Sequence, residues 1–512
     1  MSETAVVIGS GFGGLAAAVR LRAMGWRVVV LEALDQPGGR ARVFRQDGFT
    51  FDAGPTVITA PYLLEELFAL VGRSLADYAE LVPVDPFYRI LFHDGSTFDY
   101  VGDEERLLEQ IRRLSPGDVD GYRRLAAHAE RIFDVGYTRL ADQPFHRAAT
   151  MLRVIPQMVR LQSHRTVYGL VSHYVRDERL RQALTFEPLL VGGNPFSTTS
   201  IYLLIHWLER KWGVHFAKGG TTALVGALVR LLDELEVEVR LNTPVDEIVV
   251  QNGRVAGVRT ASGETIPASL VVSNADPSYV YGRMLPPHAR RRHTDARVRR
   301  VRQSMSLFVA YFGSRRQYPE LAHHTIVLGP RYKGLLDDIF RKRVLADDFS
   351  LYLHAPTRTD PTLAPEGHEA FYVLSPVPNN RSGVDWERER GPYFDRVLGE
   401  LERRLLPGIR ESLVSERFLT PREFEHDLRS VDGAAFGPEP ILTQSAWFRY
   451  HNQSSDVPGL YFVGAGTHPG GGVPGVLSSA KVLERVAPRP ERPVTLPERG
   501  RAAVAESAMV AA

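Results

Sequence analysis

"TAVVIGSGFGGLAAAVRLRAMGWRVVVLE", Thr4 to Glu32, is the stretch whose reading decides the fold. Thr4–Ile8 is a short, β-rich apolar run, the pattern of a buried parallel strand. Gly9, Ser10, Gly11, Phe12, Gly13 and Gly14 then fit G-x-G-x-x-G, and Leu15, Ala18 and Val19 recur at helical spacing. "RVVVLE", Arg27 to Glu32, reads as the next strand. Its terminal acid, Glu32, stands 18 residues past Gly14, near the separation of about 20 expected of a ribose ligand. Gly9 permits a tight turn, Gly11 lets a pyrophosphate approach the backbone, and Gly14 lets helix pack on strand. Free N–H groups and the positive dipole end at the helix start suit phosphates. A lone glycine motif would be weak evidence. Strand, turn, helix, strand and acid in register predict a dinucleotide site.

A second turn of the same form closes the chain. "LYFVGAGTHPGGGVPGV", Leu460 to Val476, is a strand followed by Gly464, Gly466, Gly470, Gly471, Gly472 and Gly475, then the start of a helix. Between the two turns, just after Glu32, Gly38–Gly39 with Arg40 and Arg42 makes another backbone-rich, cationic surface. A nicotinamide dehydrogenase has no evident need of it. One extended ligand gripped by two distant glycine turns accounts for both. Small residues admit a ring close to the backbone, and a helix N-terminus beside it favours an anionic reduced form.

Composition narrows the classes further. At 512 residues the chain has room for two or more domains, with 44% hydrophobic and 24% charged residues typical of a globular protein. A net charge of +2 gives no global pull toward nucleic acid. With no cysteine, disulfides, thiolate-bound zinc, iron–sulfur clusters and a cysteine nucleophile are excluded, so redox chemistry needs an organic cofactor. "MSETAVVIGS" runs straight into a strand, which leaves no room for a signal peptide. No apolar run approaches the roughly 18–20 residues of a membrane span. A cytoplasmic protein, soluble or peripheral, is expected.

Nucleotide-domain patterning returns at Gly219–Gly220, which open a helix through Leu224, Leu228, Leu231 and Leu232, followed by the strand "VEVRL". Asn252–Gly253 fits a type I′ hairpin turn. "SLVVSNADP" brings the chain back as a strand ending at Asn274. Two long insertions, 96–204 and 286–414, carry no nucleotide signal. In the first, Met151, Leu152, Val154, Ile155, Met158 and Val159 alternate with Arg153 and Arg160. That helix is either buried or interfacial with a membrane. The basic run Ala289–Arg302 is either a solvated face or a contact with anionic lipid. From Ala487 the chain is rich in Pro, Arg and Ala without periodicity, the pattern of a disordered tail. No metal-ligand spacing stands out, and the adjacent His323 and His324 are expected to point apart on a strand.

Several stretches together resemble the bacterial-type phytoene desaturases, in the carotenoid desaturase family of FAD-dependent, amine-oxidase-like flavoproteins. They are "GSGFGGLAAAVRL", "PGGRARVFRQDGFTFDAGPTVIT", "LLVGGNPFSTTSIYLLIHWLERKWGVHFAKGG", "DFSLYLHAP", "ILTQSAWFR" and "VGAGTHPGGGVPGV". The resemblance runs to about residue 485. It implies an α/β fold: a Rossmann-like FAD-binding domain (1–95, 205–285 and 415–486) with a discontinuous α+β substrate domain (286–414). A helical, membrane-associated insertion (96–204) and the tail (487–512) complete it. It assigns FAD to Gly9, Gly11, Gly13, Gly14, Glu32, Gly38, Gly39, Arg40, Val245, Gly464, Ala465, Gly466, Gly475 and Val476. Ala465 stands where many amine oxidases carry an acid, which argues against that branch. Thr150 replaces an acid often found three positions before the arginine of "MLR", leaving Arg153 as the candidate in the substrate pocket. The implied reaction is hydride transfer from phytoene or partly desaturated carotenes to the flavin, extending the polyene toward lycopene. A quinone or oxygen would be the final acceptor, at the inner face of the cell membrane. Another carotenoid desaturase or an isomerase would show the same motifs. A non-catalytic prenyl-lipid carrier would leave Gly38, Gly39, Arg40 and the last glycine turn idle.

Overall fold

The computed structural model describes residues 3–497. Alternation within Thr4–Ile8 sets its layers. Ala5 and Val7 share an apolar cluster with Leu15, Val19, Leu228 and Leu477, from the helices Phe12–Ala23, Thr221–Glu234 and Val473–Val486. Val6 and Ile8 instead join Ile248 and Val258 of a three-stranded antiparallel sheet. A strand covered on both faces needs apolar residues at every position, which is why its pattern is unbroken. It is the centre of a five-stranded parallel sheet, ordered Leu460–Phe462, Leu270–Ser273, Thr4–Ile8, Arg27–Leu31, Glu238–Arg240. The antiparallel sheet turns at Asn252 (φ 50°) and Gly253 (φ 75°), both in the left-handed region that a type I′ turn requires.

A second sheet of seven strands lies in the crossovers of the first. Its long strand Ser306–Ser314 sends Leu307, Val309 and Tyr311 to one cluster. Phe308, Ala310 and Phe312 go to another, under Trp386, Tyr393 and Val397 of the helix Trp386–Arg404. This sheet also takes Tyr88–Leu91, Thr97–Tyr100 and Leu413–Leu419. Tyr88–Leu91 lies in the stretch 1–95, and Leu413–Leu419 runs across the limit between 286–414 and 415–486.

The helical insertion holds Glu104–Leu114, Val119–Phe133, Ala148–Arg160, Val167–Tyr174 and Glu178–Ala183. In Ala148–Arg160 only Val154 is buried, while Leu152 is 66% and Val159 61% exposed. The buried reading of that helix fails. No described helix is long and apolar enough to cross a membrane.

Two other expectations need correction. Residues 487–497 are not a free tail: Val494 N donates to Gly25 O (2.7 Å), and Arg22 donates to the carbonyls of Val494 (3.0 Å) and Thr495 (2.7 Å). The remainder of the tail, 498–512, lies outside the described residues. The basic run is partly structural, because Arg290 is buried against Asp295, and Arg292 N and His293 N donate to Asp456.

Candidate active site

The carboxyl edge of a parallel sheet is where helices begin and ligands settle, and here the edge opens into one cavity of about 960 Å³. Two helices start at it. Phe12–Ala23 is preceded by Gly11, and Val473–Val486 by Gly472; neither has a side-chain cap. Their first N–H groups and positive dipole ends are therefore available to an anionic ligand.

One residue that motif reading passed over joins the two turns. Asn274 follows the strand Leu270–Ser273, and its N–H donates to Ile8 O at 2.8 Å. Its side chain fills the space that the glycines leave open. A Cβ on Gly13 would sit 2.5 Å from Asn274 Oδ1, one on Gly464 2.6 Å from the same atom, and one on Gly11 2.7 Å from Nδ2. The glycines permit contact between turns as well as contact with a ligand.

Gly9, Gly11, Gly13, Glu32, Gly38, Gly39, Arg40, Val245, Gly464, Ala465, Gly475 and Val476 all line the cavity. Gly14 and Gly466 do not. Gly14 packs on the Gly9 carbonyl, 1.9 Å from where its Cβ would be, and Gly466 on Pro277 Cδ at 2.2 Å. Both glycines are needed for packing. The Val245 carbonyl already accepts from Arg429 (3.0 Å). Arg153 is exposed and does not line the cavity, whereas its neighbours Met151, Leu152, Val154 and Ile155 do. The helix turns its apolar side to the cavity and its arginine away, which corrects the pocket role expected of Arg153.

Two groups fit a dinucleotide, and a third braces the turn beside them. The Glu32 carboxylate is fixed by Ser10, whose N–H (2.8 Å) and hydroxyl (2.6 Å) donate to Oε2, and by Leu34 N, which donates to Oε1 (3.0 Å). Each oxygen keeps lone-pair capacity for a ribose hydroxyl. Arg40 donates to Ser430 Oγ (2.6 Å), but its buried Nε–H has no partner. Burial lowers the Arg40 pKa and the charge of Asp276 works against that. An unpaired guanidinium N–H on a glycine-lined wall is what a pyrophosphate would satisfy. Arg449 was not singled out from sequence. Fully buried, it donates to the carbonyls of Ala465 (2.6 Å), Thr467 (3.1 Å) and Pro438 (3.3 Å), holding the second turn in shape.

Most of the remaining lining is apolar, and one wall carries a connected polar network. Thr56, Tyr352 and Tyr372 share hydrogen bonds (2.8 and 3.2 Å), and Tyr352 continues to His324 Nδ1 at 2.7 Å. Behind them His323 and His354 meet at 3.0 Å, Nε2 to Nε2. His323 and His324 do not point apart. His323 precedes the strand His324–Val327, and ring nitrogens of His323, His324 and His354 lie within 4.8 Å of one another. Burial holds all three imidazoles neutral, His323 at about 3. Glu209 completes the wall.

Leu152, Ile155 and Val159, with Leu442 and Phe448 of a neighbouring loop, are exposed and also line the cavity. The mouth is thus rimmed by apolar side chains facing water, an arrangement that marks an interaction surface.

Comparison with known proteins agrees with this architecture. The family model described as flavin containing amine oxidoreductase matches residues 12–482. The chain is 52% identical over 477 residues to a phytoene desaturase (lycopene-forming) of Pseudescherichia vulneris, covering 93% of this chain and 97% of that one. It is 47% identical to a phytoene desaturase (neurosporene-forming) of Cereibacter sphaeroides, with 95% of each covered. Among solved structures, an oxidoreductase from Methanosarcina mazei superposes with a TM-score of 0.65 at 18% identity, over 94% of this chain and 100% of that one.

Proposed function

This chain belongs to the flavin containing amine oxidoreductase family, and from that premise we propose that it desaturates phytoene with FAD, extending the polyene to lycopene. The observation that carries this reading is a single cavity with two chemistries. One part is a glycine cradle with Glu32 and an unpaired Arg40 N–H; the other is an apolar space walled by both sheets and the helical insertion. A linear hydrocarbon offers nothing for polar recognition, so an apolar tunnel has to select it by length and shape.

Bound FAD would supply the hydride acceptor. The chain's own residues do the positioning. Gly9, Gly11, Gly13 and the uncapped start of Phe12–Ala23 would hold the pyrophosphate with Arg40, Glu32 would take the ribose, and Gly464, Ala465 and the second helix start at Gly475 and Val476 would border the ring. Holding the reacting carbon about 3–3.5 Å from its acceptor supplies much of the rate.

The substrate dissolves only in lipid, and the exposed stripe Leu152, Ile155, Val159 flanks the mouth. We assign that rim to the membrane surface, attached peripherally on its inner face. Turnover then needs a terminal acceptor, a quinone or oxygen.

Reconstitution with FAD and phytoene-loaded liposomes tests the reading. Products absorbing at longer wavelength, absent when FAD is omitted, are expected, and chromatography counts the double bonds. Unchanged phytoene beside flavin-loaded protein refutes it, and a halt at neurosporene corrects the product.

A further inference from the structure

The reaction has a second half, since a carbon neighbouring the one that gives up hydride must lose a proton. Three carboxyls line the cavity among the described residues: Glu32 at the dinucleotide end, Asp427, which is paired with Arg42 at 3.0 Å, and Glu209. Glu209, on the helix Leu204–Trp212, is 1% exposed, and its Oε1 accepts from Tyr88 OH at 2.7 Å. Its other oxygen, Oε2, is buried without any partner. A buried carboxyl oxygen left unpaired costs stability, and nothing in the packing repays it.

Resting on the reading above, we propose that Glu209 Oε2 is the acceptor of the proton that phytoene loses. The C–H bond breaks, an O–H bond forms on Oε2, and the electron pair left behind completes the new double bond. Hydride leaves the adjacent carbon for the flavin, so the substrate loses two hydrogens and the carboxylate gains one.

The surroundings suit that task. Glu187, on the turn Glu187–Val191, is also fully buried, with Oε1 3.4 Å from His206 Nδ1. His206 is 2.9 Å from Tyr100 OH through Nδ1 and 3.2 Å from Tyr122 OH through Nε2. Around Glu209 therefore stand Tyr88 and Tyr100 from the second sheet and Glu187 from the insertion, with His206 and Arg210 from its own helix. The ring of His324 lies against Tyr88, and Tyr352 is near it. Burial raises both carboxyls, and for Glu209 the charge of Glu187 adds to it while the Tyr88 hydrogen bond opposes. Two such groups in dry surroundings do not both ionise. Glu209 borders the cavity, and when it carries the negative charge it is a strong base just behind the cavity surface. Burial holds His206 neutral, at about 3. Glu187, His206 and Tyr122 form a polar chain that reaches Arg210, whose guanidinium is 4.0 Å from the exposed Glu104.

Stopped-flow reduction of the FAD-loaded enzyme by phytoene in liposomes, without oxygen, tests the proposal with E209Q and E187Q. Gln keeps the acceptor for Tyr88, so FAD affinity and melting temperature should hold. Wild type should reduce faster as pH rises, along a limb displaced above the ordinary carboxylate range. E209Q should be about 100-fold slower and lack that limb, and E187Q should shift the limb downward. Infrared titration of the protein without substrate gives a separate readout: a carboxylic acid band that titrates with the limb and is lost in E209Q. If wild type does not reduce at all, the functional reading fails and takes the proposal with it. If wild type reduces and E209Q follows within threefold with the same limb, only the acceptor is wrong. Should E209Q fail to fold, a wild-type carboxyl band that does not titrate with the limb overturns the assignment.

Discussion

Replacing Gly13 by alanine separates contact from conformation. Gly13 lies in the first turn of the helix Phe12–Ala23, and its φ is not positive. Helix propensity alone therefore predicts a gain of about 0.5–1 kcal/mol from G13A. Packing predicts the opposite. The new Cβ would lie 2.5 Å from Asn274 Oδ1, 3.0 Å from Gly464 N and 3.1 Å from Gly464 Cα. Against an ordinary separation of about 3.5 Å, the Asn274 contact is short by about 1 Å. The Asn274 side chain can turn aside, but the Gly464 backbone must then give by a few tenths of an ångström, which presses the last glycine turn away from the first. Overpacking of this kind costs about 1–3 kcal/mol. Because FAD needs both turns closed on it, we expect the cost in FAD affinity, a dissociation constant weakened about 5- to 150-fold. Gly226 is the control, since it is exposed on the helix Thr221–Glu234 and a Cβ there meets nothing within 4 Å. G226A should raise the melting temperature and leave FAD binding unchanged. Fluorescence titration of the apoprotein and melting with and without FAD measure both quantities. G13A that binds FAD within twofold of wild type and melts higher would refute the reasoning, and with it the role of Asn274 as the piece between the turns.

Asp52 supplies a test by pH. Burial raises its carboxyl to about 7, against the pull of the Thr221 N–H that donates to it at 2.7 Å. A carboxyl raised on folding contributes stability that is full below its unfolded value and is lost as pH climbs through 7, about 4 kcal/mol over the window. D52N keeps the acceptor for Thr221, so melting temperatures from pH 4 to 8 should decline less than in wild type; parallel curves would refute the assignment. At the rim, L152D/V159D should abolish flotation with anionic liposomes. Both sites are exposed, so stability should stay within about 0.5 kcal/mol, and unchanged flotation would remove the rim from membrane contact.

How much of this was legible follows from what each feature depends on. The parallel sheet and the glycine turns are local: a strand buried on both faces, a tight turn and a helix start each leave a mark within about ten residues. Glu32, Gly38, Gly39 and Arg40 could be named for that reason. Asn274 could be seen only as a strand end, because its role depends on Gly13 and Gly464 arriving from opposite ends of the chain. Arg449 and Glu209 look like surface charges on sequence, and only burial reveals them. The misplacement of Arg153 has a similar cause. The spacing of Met151, Leu152, Val154 and Ile155 shows an apolar stripe, but not that the stripe faces a cavity mouth rather than a core. Short strands such as Thr97–Tyr100 carry no sign in sequence of which sheet will take them.

The order of strands explains why one cavity serves both chemistries. Thr4–Ile8 sits between Arg27–Leu31 and Leu270–Ser273, and Leu460–Phe462 closes the edge. All five strands are parallel, so every glycine turn opens at the same edge however much chain intervenes. The intervening chain has to leave and re-enter through crossovers, and the second sheet and the helices are built from them. Much of what is inserted there comes to lie over the dinucleotide edge. A cavity bounded below by the turns and above by the insertions follows from topology. Its floor is held by contacts such as Gly13 against Asn274, which tolerate almost no change. Its roof is apolar packing, which tolerates substitution at constant volume. The length of polyene admitted can therefore change through the insertions while the FAD site stays fixed.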